Sequence, residues 1–228
     1  YTTLFRSTSG SGITQFGDEV APTDEVGGAR PLASITTNAD GEVHAYTDIT
    51  TDGGTQTYDD PFIVFGDITA QDDGNSGIFF NNRVDDSVAG MHTLNVVTTD
   101  TDAIIQFGDG TTAGPTGDQV GGVDPLGELN VTVNDGAVSP GTAGVILVRA
   151  SDGAGNGLVA TTTDNGGSGN QTWTGPVEVS ATSSSPGGAG FPNTDGGTTT
   201  FDGNDLTFTE ATAGAGRIDA LDLDPAGD

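Results

Sequence analysis

The 228-residue sequence has no cysteine, no lysine and no long apolar run. The absence of cysteine excludes disulfide bonds, thiol chemistry and metal sites that use cysteine ligands. No apolar run approaches the roughly 18 residues that a membrane-spanning helix needs, so we expect no membrane insertion. The five basic residues are all arginine, against 33 acidic residues, and the formal net charge is −28. Because phosphate binding needs clustered positive charge, nucleic acid is not an expected partner.

Hydrophobic residues make up only 32% of the chain, and low hydrophobicity with high net charge is typical of disordered proteins. Against disorder, short β-branched and aromatic clusters lie between glycine, aspartate and asparagine residues, as strands lie between turns. Apolar residues also alternate with polar ones at 129–133 and 177–179, and no helical period is present. The sequence therefore predicts an all-β fold. The clusters occupy residues 61–65, 78–80, 94–97, 103–107, 145–148 and 206–208.

Residues 1–7, with the sequence YTTLFRS, resemble a translated sequencing adapter of the kind that ends open reading frames in metagenomic assemblies. We interpret them as a non-native leader and exclude them from the fold prediction. On this interpretation the native chain begins near Thr8 with its N-terminal part missing, and the acidic end at Asp228 is another cut. The lack of a signal peptide then has no bearing on secretion.

Three phrases occur twice and keep their order along the chain. Ile-Thr-Gln-Phe-Gly-Asp at 13–18 returns at 104–109, the Val-Gly-Gly and Pro-Leu pair at 26–32 returns at 120–126, and a Gln-Thr-aromatic phrase at 54–61 returns at 169–176. Such self-similarity is the signature of repeat architectures. Within 8–228 we therefore predict one β-solenoid segment of a longer repetitive protein, with long units at roughly 13–103 and 104–223.

Each long unit consists of shorter pieces, and each piece combines a strand of about five residues with a turn. Coils of about 20–25 residues would stack about ten rungs into a rod near 50 Å long. Parallel strands in such coils place their apolar sides in a narrow core. A tandem array of two β-sandwich domains, each of about 100 residues, would explain the long period equally well and is the alternative fold.

The phrases resemble the repeat regions of large bacterial surface proteins of the filamentous haemagglutinin and autotransporter adhesin type. In those repeats a Thr-Thr-x-Gly-x-Gln-Thr-Tyr phrase precedes an Ile-x-Phe strand and then a Leu-x-Val strand, and the counterparts here are 50–64, 78–84 and 94–96. Insertions around 111–117 and 183–190 depart from regular spacing. The resemblance implies a right-handed parallel β-helix with an extracellular role in adhesion or matrix formation.

From these patterns we expect a structural or adhesive spacer, or a filament-forming segment, of a secreted or cell-surface repetitive protein. The expected partners are neighbouring repeats of the same chain, through end-to-end self-association. A host or environmental glycan is a further expected partner.

The second functional hypothesis is a carbohydrate-active β-helix enzyme, either a polysaccharide lyase or a glycoside hydrolase. Hydrolysis of a glycosidic bond needs carboxylates brought within several ångströms of each other, and doublets occur at 59–60, 72–73 and 85–86. Adjacent residues of a strand point to opposite faces, so we interpret the doublets as solvated turn residues. We predict no catalytic and no cofactor-binding residue, and no enzyme.

The two histidines, His44 and His92, both lie beside strand-like sequence. A proton shuttle at neutral pH would use one of them or a perturbed carboxylate, but neither has a recognisable partner in the sequence, and we expect both at the surface. An enzyme would also need three or more converging carboxylates with an arginine nearby, such as Arg83 or Arg149.

Calcium is the most plausible ligand, although no cofactor is required. Calcium prefers six to eight oxygen ligands, and acidic turns rich in asparagine and glycine supply them. Neither of the two best loops matches the EF-hand or the calcium-binding nonapeptide repeat, and tight turns favour the same residues. A calcium-stabilised extracellular binding module is the third functional hypothesis. The predicted weak ligands are Asp72, Asp73, Asn75, Asp152 and Asn156.

Overall fold

The computed structural model confirms an all-β fold: the described part of the chain contains strands and no helix. None of these residues forms a helix that could cross a membrane. The structure describes residues 5–6, 12–18, 24–109, 118–134, 144–149, 162–163, 169–181, 189–190, 193–194, 199–202, 206–210, 221–222 and 225–226.

The strands are short because glycine and aspartate turns interrupt the sequence every few residues. The first twelve are β1 (Phe5–Arg6), β2 (Ile13–Phe16), β3 (Ile35–Thr36), β4 (Glu42–Ala45), β5 (Ile49–Thr51), β6 (Gln56–Tyr58), β7 (Phe62–Val64), β8 (Ile68–Asp72), β9 (Gly77–Phe80), β10 (Val84–Asp86), β11 (Thr93–Thr98) and β12 (Ile104–Phe107). The others are β13 (Glu128–Val133), β14 (Val145–Val148), β15 (Thr162–Thr163), β16 (Gln171–Thr174), β17 (Val177–Ala181), β18 (Ala189–Gly190), β19 (Asn193–Thr194), β20 (Thr199–Asp202), β21 (Leu206–Glu210), β22 (Leu221–Asp222) and β23 (Pro225–Ala226).

Most strands belong to three large sheets. Sheet 1 has the order β1-β2-β4-β7-β10, sheet 2 the order β5-β8-β11-β13-β16-β20, and sheet 3 the order β3-β6-β9-β12-β14-β17-β21. From β4 to β12 the chain visits sheets 1, 2 and 3 in turn, three times over. Two small sheets, β15-β19-β23 and β18-β22, complete the described strands.

Pairing within the three large sheets is parallel, except that β1 is antiparallel to β2. β-Sandwich domains consist of antiparallel sheets joined by hairpins and Greek-key connections. The alternative prediction of tandem β-sandwiches is therefore wrong.

One hydrophobic core draws side chains from all three sheets. Buried and half-buried residues alternate along the longer strands, as the sequence pattern predicts. Aromatic rings stack from strand to strand in this core. Phe80 of β9 lies between Tyr58 of β6 and Phe107 of β12, with ring centroids 5.3 Å apart on both sides. Trp173 of β16 lies 5.8 Å from Phe107 and so joins sheet 2 to sheet 3.

The length of one circuit grows along the chain. Val43 of β4 pairs with Phe62 of β7, 19 residues later, whereas Leu94 of β11 pairs with Leu129 of β13, 35 residues later. The predicted coil of 20–25 residues therefore fits the early circuits only. The predicted insertion at 111–117 lies between β12 and β13, within one of the longer circuits.

Each repeated phrase returns on a different sheet. The first phrase forms β2 of sheet 1 and then β12 of sheet 3. In the second phrase, Val26 pairs with Ile49 of sheet 2 and Val120 pairs with Val84 of sheet 1. The third phrase forms β6 of sheet 3 and then β16 of sheet 2. All three phrases thus move by the same step around the core.

The third phrase repeats because its side chains form a buried hydrogen-bonded network. Gln56 is fully buried, and its Nε2 donates to the backbone oxygen of Gln71 at 2.6 Å and to Oγ1 of Thr51 at 3.2 Å. Tyr58, two residues on and therefore on the same face, donates from its hydroxyl to Oε1 of Gln56 at 2.8 Å. Leu32 of the second phrase forms a parallel bridge with Thr51.

The second copy of the phrase builds the same network. Nε2 of Gln171 lies 3.3 Å from Oγ1 of Thr162, and Nε1 of Trp173 donates to Oε1 of Gln171 at 3.4 Å. Leu126 forms a parallel bridge with Thr162. The glutamine satisfies the polar atom of a buried aromatic side chain in both copies, as buried tyrosine and tryptophan require.

Aspartates at the turns accept backbone N–H groups from the next circuit. Oδ1 of Asp48 accepts from the backbone nitrogen of Thr69 at 2.6 Å, and Oδ1 of Asp67 accepts from that of Thr93 at 2.9 Å. Part of the acidic surplus is therefore structural, because these carboxylates tie successive circuits together.

Candidate functional site

The outward side of sheet 1 carries a continuous row of contacting charged and aromatic side chains. Strand alternation places Glu42 and His44 of β4 on this side. Oε2 of Glu42 lies 3.0 Å from Nε2 of His44, and its Oε1 lies 3.6 Å from the Arg83 guanidinium. Arg83 also pairs with Asp85 of β10. These four residues form the charged half of what we call the outer row.

Three rings form the aromatic half of the outer row. The His44 ring lies 4.6 Å from the ring of Phe65, and Phe65 stacks on Tyr46 at the same centroid distance. Tyr46 and Phe65 are half-buried rather than buried. The arrangement offers an apolar ring surface beside hydrogen-bonding charges. Such surfaces are typical of recognition sites.

Asp85 is the buried end of the outer row, with 1% of its surface exposed. Its Oδ1 accepts the backbone N–H of Val123 at 3.1 Å. Burial raises the pKa of Asp85, and the hydrogen bond from Val123 and the charge of Arg83 oppose that rise. The carboxylate therefore keeps two partners that favour its charged form, and its first role is to hold Arg83 in place.

The aspartate doublets are not the solvated turn residues that the sequence predicts. Asp60, Asp72, Asp85 and Asp86 are all buried. Asp85 and Asp86 point to opposite sides of β10, as strand geometry requires. Asp86 accepts the backbone N–H groups of the turn that follows β10. These buried carboxylates are stabilised by hydrogen bonds, which a buried charge requires.

Both histidines have carboxylate partners that the sequence did not reveal. His44 contacts Glu42, and Nδ1 of His92 lies 2.6 Å from Oδ1 of Asp86. Their side chains are 15% and 20% exposed, so both are less exposed than the predicted surface positions. Proximity in sequence carries no signal for either pair beyond the i, i+2 spacing of Glu42 and His44.

The predicted calcium ligands are only partly described. Asp72 is buried, and its two oxygens accept from Oγ1 of Thr51 and from the backbone nitrogens of Gly74, Ser76 and Gly77. The geometry therefore assigns Asp72 to the turn, because donors already occupy both of its oxygens.

The other predicted ligands lie apart from a common centre. Oδ1 of Asp73 accepts from Gln71 and Thr99, while Asn75 is exposed. Asp152 and Asn156 lie outside the described residues. In the described ranges no group of three or more histidine and acidic residues is placed to hold a metal ion. Calcium binding stays a prediction.

Arg83 gives the enzyme hypothesis a partial counterpart, since it contacts two carboxylates, Glu42 and Asp85. The hypothesis needs a third carboxylate that converges on the same point, and the contacts of the outer row supply two.

Sequence reasoning singled out Arg83 but missed Glu42, Tyr46 and Phe65. These residues meet only because β4, β7 and β10 are neighbours in sheet 1. Comparisons with protein-family models, with curated proteins and with solved structures found no match.

Proposed function

We propose that the three large sheets are the faces of a right-handed parallel β-helix, and that the chain is a structural or adhesive spacer of a secreted or cell-surface repetitive protein. One observation carries this proposal. The chain passes through sheets 1, 2 and 3 in a fixed order, and each strand pairs with the strands one circuit before and after it.

A rod follows from this pairing. Sheet 3 contains seven strands, and six steps of about 4.8 Å give it a length near 29 Å. Backbone hydrogen bonds run along the axis in each sheet, so tension between the ends is shared by three parallel ladders. The −28 charge keeps such rods soluble and disfavours acidic partners.

The ends of the rod provide the surfaces for end-to-end self-association. Strand β3 is the last strand of sheet 3 on one side. The backbone nitrogens of Ile35 and Thr37 bond to the preceding strand's neighbour, β6, and its flanking residues, so the intervening N–H of Thr36 faces the free edge. An unpaired edge is a template for another strand. The outer row is the adhesive surface along the side of the rod.

The test combines scattering and electron microscopy on the whole chain. Small-angle X-ray scattering should give a constant rod cross-section, and negative-stain images should show rods that lengthen as protein concentration rises. Thr36→Pro should stop lengthening without unfolding the chain, because proline removes an edge N–H that no described ladder uses. Thr36→Val is the matched control and should lengthen like the parent. Compact particles in both techniques would refute the rod, and rods of constant length in all three proteins would refute end-to-end assembly.

A further inference from the structure

The outward side of sheet 2 is almost free of charge. Thirteen side chains alternate with the buried residues of its six strands, and seven are threonine. Strand propensity favours threonine but does not explain the lack of charge, because the outward side of sheet 1 carries Glu42, Arg83 and Asp85. The thirteen are Thr50, Thr69, Gln71, Thr93, Asn95, Val97, Glu128, Asn130, Thr132, Thr172, Thr174, Thr200 and Asp202.

These side chains lie in register from strand to strand. Neighbouring strands are about 4.8 Å apart, and alternate residues of one strand are about 6.6 Å apart, so the groups form a two-dimensional lattice. The first column is Thr69, Asn95, Asn130, Thr172 and Thr200. The second column is Thr50, Gln71, Val97, Thr132, Thr174 and Asp202.

The most regular part of this lattice lies on β13, β16 and β20. In the described part of the chain, the hydroxyls of Thr132, Thr172, Thr174 and Thr200 make no hydrogen bond, and these side chains are half-buried or exposed. The branched side chain restricts rotation about χ1. Beneath them the strands hold a rigid core that includes Trp173, which is fully buried. The hydroxyls are therefore both available and held in place.

We propose that this face of sheet 2 binds the surface of ice. A rigid lattice of hydrogen-bonding groups is matched best by a ligand that is itself periodic in two dimensions. An ice surface is such a ligand, because it is an uncharged periodic array of hydrogen-bonding oxygens. Charged groups would hold their own hydration water firmly, and the lattice excludes them except at Glu128 and Asp202.

A crystalline polysaccharide is also periodic, but it fits this face less well. Sugar rings expose apolar faces that pack on aromatic side chains, and none of the thirteen outward residues is aromatic. Threonine instead offers a hydroxyl and a methyl group at each lattice point. The inference concerns the side of the rod and does not depend on its proposed role as a spacer.

The test is inhibition of ice recrystallisation by the whole chain, with albumin as the inert reference. The parent protein should keep ice grains small at micromolar concentration. Thr174→Glu should raise the concentration needed by at least about tenfold, since a charge at the interface must be desolvated. Thr57→Glu, on the outward side of sheet 3, is the matched control and should behave like the parent. Thermal melting shows that the variants fold.

If Thr174→Glu fails to fold, Thr174→Val takes its place, because it keeps the shape and loses only the hydroxyl. Ice grains that grow as they do in albumin would overturn the proposal, as would equal loss in the Thr174 and Thr57 variants. Binding of the parent to microcrystalline cellulose without an effect on ice would also overturn it and would identify a polysaccharide surface. The scattering experiment separates these outcomes from failure of the rod.

Discussion

Replacement of Gln56 by methionine tests whether the buried network holds the core together. Methionine keeps the volume of glutamine but offers no amide, so the Tyr58 hydroxyl loses its acceptor and the Gln71 carbonyl loses its 2.6 Å donor. Each unsatisfied buried group costs about 1–3 kcal/mol. We expect Gln56→Met to lower the free energy of unfolding by about 2–4 kcal/mol.

Urea denaturation followed by far-UV circular dichroism measures this loss. Gln15→Met is the matched control, because Gln15 lies on the outward side of β2 and is half-buried. It should cost no more than about 0.5 kcal/mol.

A double-mutant cycle identifies the hydroxyl contact itself. Tyr58→Phe should cost about 1–2 kcal/mol less in the Gln56→Met background than in the parent, because the hydroxyl then has no partner to lose. Equal costs for Gln56→Met and Gln15→Met would refute the reasoning, as would full additivity of the two core substitutions.

Two further predictions concern the backbone and the carboxylates. Gly77 and Gly53 both have positive φ (111° and 92°), but only at Gly77 would a Cβ collide with the backbone of Ile104; thermal melting should show that Gly77→Ala destabilises the chain well beyond the roughly 1 kcal/mol or more expected for Gly53→Ala, and equal effects would contradict the close packing of β9 on β12. Burial raises the pKa of Asp60, so its contribution to stability is present below the ordinary aspartate pKa and is lost as pH rises through the folded pKa; between pH 7 and pH 5 at constant ionic strength the parent should therefore gain more in melting temperature than Asp60→Asn, and parallel curves would show that Asp60 does not contribute.

The sequence predicts the strands well because each one needs only local information. The alternating residues of β13 and the apolar cluster of β14 identify these strands, and the glycine-rich turns separate them. Parallel pairing is also anticipated by the ordered repeats, since short similar strands can stack without hairpins. The sequence did not predict the changing circuit length, because insertions do not alter the local pattern of the strands beside them.

The outer row could not be predicted from local sequence. Glu42 and Arg83 meet because each lies beside a strand of sheet 1 and β7 separates those strands by one step. Nothing in either segment specifies that register. The aspartate doublets were misread for a related reason: a carboxylate beside glycine is normally solvated, but in this fold the next circuit covers it. Asp85, which Val123 covers, is the clearest case.

The shift of each repeated phrase from one sheet to another has a consequence for long arrays of such units. A phrase that begins on sheet 1 moves to sheet 3 in the next unit, and the same step would take it to sheet 2 and then back to its starting side. Any surface feature encoded by the repeat therefore winds around the axis like the thread of a screw. A rod with this chirality would display the feature in three directions, which suits cross-linking in a mesh better than flat attachment along one side.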